Sequence, residues 1–335
     1  MTNPLWLWLI EQRMSAYSAN QIFQGPSSRE AGPCWCFDRY GRTETRLPDG
    51  RVINIGGEHE DYYDEDFYIY NDVVVCDDKG GVEILGYPED DFPPTDFHTA
   101  TLVDDRIVLI GNLSYPKLRK SETQVILLNT GTFRIERKGA TGNAPLWIHS
   151  HTSELEAGGT SVLVRGGLID DRRWPGLVEN IDDWRLDLDT WRWERLTHRR
   201  WHRFKFIRSD RKSNHLFWLR DLISAWTSNR PDKFADRRAE WLRDLGETPR
   251  LDLVEALYSP NIEHVWLPRG QDEFNLCRIR IDGVTVRYAE SDYDITLTIE
   301  GSLPLEAIEL LRSDLLNKLE AIENARVDCV PIEVP

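Results

Sequence analysis

The chain has 335 residues, of which 40% are apolar, so it is long enough to bury a substantial core. Its 57 acidic residues outnumber its 41 basic ones and give a formal charge of −16. A field of this sign repels nucleic acid and anionic membranes, and it steers basic proteins or cations toward the chain.

Residues 1–41 precede any repeated pattern. Leu5–Ile10 is a short apolar run with no basic residue before it, so the sequence predicts neither a secretory signal nor a membrane span and indicates a cytoplasmic protein. Leu5–Met14 is compatible with a short helix or a strand. Cys34–Phe37 is our candidate for an amino-terminal strand that closes a ring of repeats. The five cysteines include no CxxC pair, which favours buried small side chains over a metal site.

A hydrophobic stretch ending in glycine occurs three times, starting at residues 51, 106 and 161, a constant spacing of 55. The stretches are Arg51–Gly57, Arg106–Asn112 and Ser161–Gly167. Nearly every position before the glycines is apolar, which is typical of a strand covered on both faces. The segment before each glycine-ending stretch predicts another strand followed by a tight turn. These segments are Thr43–Gly50, His98–Asp105 and His151–Thr160. We expect the glycines where a side chain would obstruct a neighbouring backbone.

A second hairpin of constant length follows each stretch after a variable loop. These hairpins are Asn71–Val82, Glu122–Phe133 and Asp182–Trp193. The glycine strand, the loop, the turn at Asp182–Thr190 and the closing Trp193 together resemble the kelch repeat. Asn112 in place of the second glycine and Val82 in place of the closing tryptophan depart from that pattern.

The resemblance covers residues 42–197, and it implies that each unit is a four-stranded blade of a β-propeller. We therefore predict a mainly β fold. It would be a kelch-like β-propeller of few blades, complete or incomplete, with a carboxy-terminal α+β appendage. Residues 42–220 would hold the blades, 221–270 a helical insert, and 271–335 a hairpin followed by a β-α-β region.

The loops after the glycine strands should emerge on one face, where propellers usually carry function. Between Glu58 and Asp105 the sequence has 16 carboxylates and only Lys79 to oppose them. We predict that this acidic, tyrosine-rich face binds a partner. The predicted contact residues are Glu58, His59, Glu60, Asp61, Tyr62, Tyr63, Asp64, Glu65, Asp66, Tyr115, Lys117, Asp170, Asp171 and Trp174.

Two metal sites compete with this interpretation. The carboxylates of Glu58–Asp66 could hold a hard cation, but the D-x-D-x-D-G spacing of calcium loops is missing, so an exposed interaction loop is favoured. His149 and His151 would place two imidazoles on one face of a strand, yet no third ligand is identifiable. His98 matches His151 as a repeat position, which favours a structural role for both. We expect no cofactor.

The stretch from Trp191 to Arg220 is basic and aromatic, and Arg199–Lys212 could bind single-stranded nucleic acid. The alternation of Phe204 and Phe206 with Arg203 and Lys205 instead favours a half-buried strand, in which the arginines face solvent or pair with the acidic first unit.

The rest of the chain predicts a degenerate fourth repeat unit. Its opening hairpin would be His202–Ile207 with Asn214–Leu219, and its closing hairpin would be Asn275–Tyr288 about Asp282-Gly283. The predicted tail is a strand at Asp294–Glu300, a helix capped by Ser302 and a strand at Arg326–Val334.

The absence of a nucleophile elbow, a phosphate loop and a zinc-protease helix favours a binding protein over an enzyme. We predict capture of a basic protein, as a bacterial immunity protein captures a toxin. A metal-dependent or small-ligand enzyme of the kelch type is the alternative, and nucleic-acid binding is the second alternative.

Overall fold

The computed structural model describes residues 3–14, 16–23, 35–61, 64–171, 176–216, 219, 236, 239, 242–243, 246, 250–268, 270 and 275–332. The chain forms two compact units, Met1–Arg199 and Arg200–Pro335. Each unit is described by itself. No helix among the described residues is long and apolar enough to cross a membrane.

The amino-terminal unit begins with two helices and a four-stranded sheet. Its elements are α1 (Pro4–Gln12), α2 (Ala16–Phe23), β1 (Thr43–Arg46), β2 (Val52–Ile55), β3 (Glu58–Asp61), β4 (Asp64–Ile69), β5 (Asp72–Cys76) and β6 (Val82–Gly86). Strands β1, β2, β5 and β6 form an antiparallel meander in that order, while β3 and β4 form a separate hairpin. The first predicted unit is therefore confirmed as two consecutive hairpins.

The next two repeats build sheets of the same plan. Their elements are β7 (Thr99–Val103), β8 (Arg106–Ile110), a 3-10 turn (Pro116–Leu118), β9 (Val125–Asn129), β10 (Ile135–Arg137), β11 (Thr141–Gly142), β12 (Trp147–His149), β13 (Thr152–Leu155), β14 (Ser161–Arg165), β15 (Leu168–Asp170), β16 (Val178–Glu179), β17 (Trp184–Asp187) and β18 (Arg192–Arg195). The second sheet has the order β7-β8-β9-β10 and the third β13-β14-β17-β18. Strand β11 adds to β18 in parallel, and β12, β15 and β16 form a small sheet.

The same side-chain device closes the second hairpin of each unit. Asp77 Oδ1 accepts hydrogen bonds from the backbone of Lys79 and Gly81, Asn129 Oδ1 does so from Gly131 and Thr132, and Asp187 Oδ1 from Thr190. These short polar side chains replace backbone partners in tight turns, which is why aspartate and asparagine recur there. The turn chemistry predicted from the Asp182–Thr190 motif is present in all three units.

The glycines lie at the ends of β2, β8 and β14, as predicted. Gly56 has φ of 56°, and an added Cβ would lie 2.1 Å from the carbonyl oxygen of Thr95, in the segment leading to the next sheet. The adjacent Gly57 donates its N–H to that carbonyl at 2.8 Å, and Asn112 donates likewise to Ile148 at 2.8 Å. The first two glycine strands are thus joined by their backbone to the start of the following repeat. The predicted core residues Ile53, Ile55, Val108, Ile110 and Val164 are buried, and Leu163 is half-buried.

The two faces of the first sheet pack differently. One face packs on the second sheet through Ile53, Ile55, Ile107 and Leu109, and each such side chain contributes roughly 1.5–3 kcal/mol when fully buried. The opposite face, which includes Val74 and Ile84, is covered by apolar residues of α1, α2 and Phe37. Trp35–Phe37 do not form the predicted ring-closing strand, and Cys34 lies outside the described residues. The Arg39 guanidinium holds this segment by ion pairing to Asp72 at 2.5 Å.

The carboxy-terminal unit is a six-stranded antiparallel sheet with a long helix. Its elements are β19 (His202–Arg208), α3 (Leu251–Glu255), β20 (Val265–Trp266), β21 (Leu276–Ile281), β22 (Val284–Glu290), β23 (Asp294–Ile299), α4 (Leu305–Glu323) and β24 (Val327–Pro331), and the strand order is β20-β21-β22-β23-β19-β24. Helix α4 buries Ile308, Leu311, Leu315, Leu319 and Ile322 in the core of this unit. The hairpin about Asp282-Gly283 and the β-α-β tail are confirmed.

Three predictions about this unit are wrong. His202–Ile207 does not pair with Asn214–Leu219, because β19 lies between β23 and β24, and residues 215–216 are helical. The four-stranded fourth unit is therefore not formed. Helix α4 begins after Pro304, and Ser302 does not cap it. Arg203 and Lys205 do not face solvent, since a central strand is covered on both faces.

Candidate functional site

The ends of the three glycine strands bring equivalent residues of successive repeats to one end of the amino-terminal unit. Tyr40 pairs with Glu58, Asp96 accepts the N–H of Leu113 at 3.0 Å, and His149 pairs with Leu168. Tyr40, Asp96 and His149 each precede a residue with a left-handed backbone, namely Gly41, Phe97 and Ser150. Backbone hydrogen bonds of 2.8 Å link Phe97 to Gly41 and Ser150 to Phe97. Tyr40, Asp96 and His149 therefore occupy corresponding places in neighbouring repeats.

Asp96 is a buried carboxyl group with 0% of its surface exposed. Its Oδ1 atom accepts the N–H of Ser114 at 2.7 Å, and its side chain interacts with the carboxyl group of Glu58. Burial raises the pKa of Asp96, although the Ser114 N–H, Glu58 and the Arg119 charge oppose the rise. No N–H or hydroxyl of a described residue donates to Oδ2, which is also buried. Asp96 is thus held in place without its full set of hydrogen bonds.

Beside Asp96 lies an ion pair between the second and third repeats. Arg119 Nη1 is 3.2 Å from Asp170 Oδ2, and Arg119 Nε donates to the carbonyl of Leu113 at 2.8 Å. His149, 3% exposed, is close enough to both charges to respond to them. Burial lowers the pKa of His149 to about 4, so the ring is neutral at pH 7. Its Nδ1 atom lies 3.0 Å from the Ser150 hydroxyl, while Nε2 has no partner among the described residues.

The acidic loop of the first repeat is a hairpin with defined pairing. Glu58 lies opposite Ile69, His59 opposite Tyr68, and Asp61 opposite Asp64, with an irregularity between His59 and Asp61. Glu58 and His59 are half-buried, which differs from a fully solvated loop. Tyr62 and Tyr63 lie outside the described residues, as do the side chains of residues 60, 61 and 64–66. The expected exposure of those side chains stays a prediction.

Exposed apolar side chains lie around this hairpin, and we call Tyr40, Phe67, Tyr68, Tyr115 and Leu118 the aromatic patch. All except the half-buried Tyr115 are exposed, Tyr40 to 69%. The rings of Phe67 and Tyr115 meet edge to face at 5.9 Å, and the Tyr115 hydroxyl accepts the N–H of Ile69 at 2.9 Å. Tyr115 therefore joins the second variable loop to the acidic hairpin of the first repeat.

The other predicted contact residues are placed unevenly. Lys117 is exposed next to the aromatic patch. Asp170 is half-buried in its ion pair with Arg119, and Asp171 is buried, so Asp171 does not belong to an exposed contact surface. Trp174 lies outside the described residues. The sequence prediction included Glu58, Tyr115 and Asp170 but missed Asp96 and Arg119, and it weighed His149 as a metal ligand against a structural role, which it favoured.

The structure does not bring the paired histidines onto one strand face. The chain turns at Ser150, with φ of 52°, so His149 ends β12 while His151 precedes β13. His151 Nε2 lies 2.9 Å from the Thr99 hydroxyl, and His98 Nε2 lies 2.8 Å from that of Thr43. His98 and His151 are thus equivalent contacts between successive repeats. Within the described part of the chain, no group of three or more His, Cys, Asp or Glu side chains could hold a metal ion.

The central side chains of the predicted nucleic-acid-binding stretch, Arg199–Lys212, are buried. Arg203 and Lys205 are only 2% and 1% exposed, and the Lys205 ammonium pairs with Asp294 at 3.1 Å. Arg208 is also buried and pairs with the buried carboxylate of Glu323 at 2.9 Å. Burial of a charge requires a counter-charge, and strand β23 provides Asp294 while helix α4 provides Glu323. Arg203, Lys205 and Arg208 therefore do not form an exposed basic surface.

Comparisons with known proteins give little further information. No protein-family model matches the chain, and no curated protein sequence matches it. Among solved structures, the chain is similar to a fungal alcohol oxidase of the AA5 family in complex with copper, at 12% identity and a TM-score of 0.32. The match covers 48% of this chain and 44% of the oxidase, so the chain corresponds to less than half of that protein.

Proposed function

We propose that the chain is a non-catalytic protein-binding module that captures a basic protein at the ends of its glycine strands. One observation carries this proposal. Segments from successive repeats meet at this end, and they surround the acidic hairpin with the exposed side chains of the aromatic patch. Exposed aromatic residues supply contact area, and the surrounding carboxylates supply attraction for a partner of opposite charge.

The charge distribution supports a basic partner. The segment from Glu58 to Asp105 has 16 carboxylates and one lysine. Lysine and arginine side chains can also stack on the rings of the aromatic patch, at about 0.5–1 kcal/mol for each exposed contact. A protein with this combination could neutralise a basic toxin, as a bacterial immunity protein does.

We further propose that the three sheets are kelch-like blades of an incomplete propeller. In support, β1 lies beside β7 and β7 beside β13, as the innermost strands of successive blades do. The outer face of the third sheet is polar: Arg185 pairs with Glu156 at 2.7 Å, and Glu154 and Arg165 on the same face are exposed. Helices α1 and α2 cover the free face of the first sheet. Such polar and helical ends are typical of terminal repeats in an open array.

Site-specific photo-crosslinking in the source cell tests this function. A benzophenone amino acid is placed at Tyr40 or Tyr68 in the aromatic patch, and at the exposed Tyr293 of the carboxy-terminal unit as a control. We expect one basic protein to be crosslinked from both patch positions and not from the control. That protein, once purified, should bind the unmodified chain at a ratio of one to one.

Two outcomes would contradict the proposal. One is crosslinking of a protein from Tyr293 but from neither patch position, since binding would then use another surface. The other is an acidic or neutral partner, because the charge of the face would then play no part in its capture. If the partner is a toxin, coexpression of the two proteins should protect the cell.

A further inference from the structure

The six-stranded sheet of the carboxy-terminal unit has two edges, β24 and β20, and the β24 edge is blocked. Backbone hydrogen bonds from Ser209 and Ile332 join β24 to β19, so the residues at 327, 329 and 331 direct their backbone groups outward. Val327 donates its N–H to Glu320 Oε1 at 3.1 Å, and Pro331 has no N–H. An engaged N–H and a proline both prevent a further strand from pairing with an edge.

Strand β20, at the opposite edge, lacks this protection. Leu267 donates its N–H to the carbonyl of Arg278 at 3.0 Å, so the backbone groups of His264 and Trp266 point away from β21. Among the residues that the structure describes, none bonds to these outward N–H and C=O groups. The side chains beside them are apolar and open to solvent, Val265 to 65% and Trp266 to 51%. This combination favours pairing with another strand.

The open stretch of β20 is short and closed at both ends. On one side, Ile262 donates its N–H to the carbonyl of Pro260 at 2.8 Å, and the Ile262 carbonyl oxygen lies 2.7 Å from His264 Nδ1. On the other side, Pro268 has no N–H. The outward groups open to a new strand are therefore those of His264 and Trp266, which lie symmetrically about the residue between them.

We propose that β20 is a dimerisation edge, at which two copies of this chain pair their β20 strands antiparallel about a two-fold axis through Val265. In this register His264 of each copy lies opposite Trp266 of the other, and each open N–H meets an open carbonyl. The two Val265 side chains face each other across the axis. On the other face, the His264 and Trp266 rings, which meet edge to face at 5.8 Å within one copy, join those of the second copy.

The length of the open stretch favours a second copy over a strand of another protein. A longer partner strand would have to place its own backbone groups against Ile262 and Pro268, whose groups are engaged or missing, whereas a second copy is closed at the same places. The charges beside the edge are balanced, because Glu263 and Arg280 are both exposed and have opposite signs, although the whole chain carries −16.

The paired segments are short compared with the roughly 1,200–2,000 Å² that a stable interface buries, so the dimer should depend on concentration. This inference goes beyond the proposed function and does not rest on it, since it concerns the carboxy-terminal unit alone.

Sedimentation velocity of the full chain tests the pairing. The weight-average mass should rise toward twice that of one chain as the concentration increases. Val265→Lys and Val265→Glu each place like charges face to face on the two-fold axis, so each variant alone should stay monomeric where the unmodified chain is mainly dimeric. An equimolar mixture of the two variants should form dimers again, because lysine then faces glutamate. Such a rescue requires that residue 265 of one copy meets residue 265 of another.

Two further variants complete the test. Leu305→Lys is the matched control, because Leu305 is 70% exposed at the start of α4 in the same unit, and it should dimerise as the unmodified chain does. Trp266→Ala removes the exposed indole without adding a charge and should weaken the dimer about tenfold or more. Circular dichroism checks that each variant is folded.

Four results would overturn the inference. They are a chain that stays monomeric up to its solubility limit, equal dimerisation by both single Val265 variants, a mixture of folded variants that stays monomeric, and an unchanged dimer in Trp266→Ala. Both Val265 variants should still capture the partner that is crosslinked at the aromatic patch. Failure of the dimer and failure of the proposed function are therefore separate results.

Discussion

The hydroxyl of Thr101 lies 2.9 Å from the hydroxyl of Ser153 and joins the first strand of the second sheet to that of the third. Thr99 and His151, which lie two residues before Thr101 and Ser153, make an equivalent contact at 2.9 Å. The contact between the first two sheets starts the same way, with Thr43 and His98 at 2.8 Å. Two residues on, the positions that correspond to Thr101 and Ser153 are Thr45 and Ala100, and the buried Thr45 hydroxyl has no partner among the described residues.

Ala100→Ser should therefore stabilise the protein. The new hydroxyl would give Thr45 the partner that Ser153 gives Thr101, and a hydrogen bond to a buried group is worth about 0.5–1.5 kcal/mol. Urea unfolding of the amino-terminal unit within the full chain measures the gain. In a Thr45→Val background the same serine should add nothing. A gain of equal size in that background would show that the serine acts elsewhere.

The buried histidines between repeats should make the amino-terminal unit sensitive to acid. Burial lowers the pKa of His98 and His151 to about 3, whereas an unfolded histidine titrates near 6.5. The unfolded chain therefore binds more protons as the pH falls below 6.5, and the free energy of unfolding falls with it. By pH 5 the loss should reach up to about 2 kcal/mol for each histidine.

Urea unfolding at pH 7 and pH 5 measures this loss. His151→Gln, which does not titrate, should show a smaller difference between the two pH values than the unmodified chain. His198→Gln is the control, because His198 is exposed. An equal pH dependence in all three proteins would mean that carboxyl groups cause the acid sensitivity.

Gly56 and Gly166 have nearly the same left-handed backbone but different surroundings. Their φ angles are 56° and 63°, yet an added Cβ would meet the Thr95 carbonyl at Gly56 and nothing within 4 Å at Gly166. Gly166→Ala should cost about 1–2 kcal/mol for the backbone conformation alone. Gly56→Ala should cost several kcal/mol more, because the segment that leads into the second sheet must shift. Equal losses in urea unfolding would contradict the close approach.

Local signals in the sequence predicted the repeats because strands, turns and glycines are short-range features. They could not predict the carboxy-terminal sheet. The hairpin about Asp282-Gly283 looks the same whether it closes a fourth repeat or pairs with β23, and the pairing of β19 with β23 and β24 joins residues far apart in the chain. Arg203 and Lys205 are buried because β19 lies between β23 and β24 in this sheet, a pairing that no local signal predicts.

The sequence does not reveal Asp96 as a site residue, because the first hairpins of the first two repeats are offset by one residue relative to their glycines. Aligning the repeats on their glycines places Thr43 over His98, whereas the structure pairs Thr43 with Ile55 and Thr99 with Ile110, so the first hairpins differ by one residue. Only the structural register places Tyr40, Asp96 and His149 at one position. The burial of Asp96 depends on Glu58 and on the Ser114 segment, and no pattern in the chain indicates that approach.

Charge reversal of the acidic hairpin should slow capture of the partner without unfolding the protein. The variant replaces Glu60, Asp61, Asp64 and Asp66 with lysine. Asp61 and Asp64 lie directly opposite each other, so two lysines there repel as the two aspartates do. The new lysines lie among the many remaining carboxylates of this segment, so the unfolding free energy should stay unchanged or become slightly higher. Electrostatic steering by the hairpin would be lost. The association rate with the crosslinked partner should fall about tenfold or more at low salt.

The matched control reverses Asp78, Glu83, Glu89 and Asp90, which are exposed elsewhere in the first repeat and change the net charge of −16 by the same amount. Stopped-flow association at low and high salt compares the two variants. For the hairpin variant, the association rate should no longer fall as salt is added, or should rise. The reason is that little attraction between the hairpin and the partner remains for salt to screen. The control should keep most of both the association rate and its salt dependence.

Equal slowing by the two variants would show that the total charge, and not the hairpin, attracts the partner. If the hairpin variant unfolds instead, the four carboxylates hold the structure together, and the aromatic patch alone must account for binding.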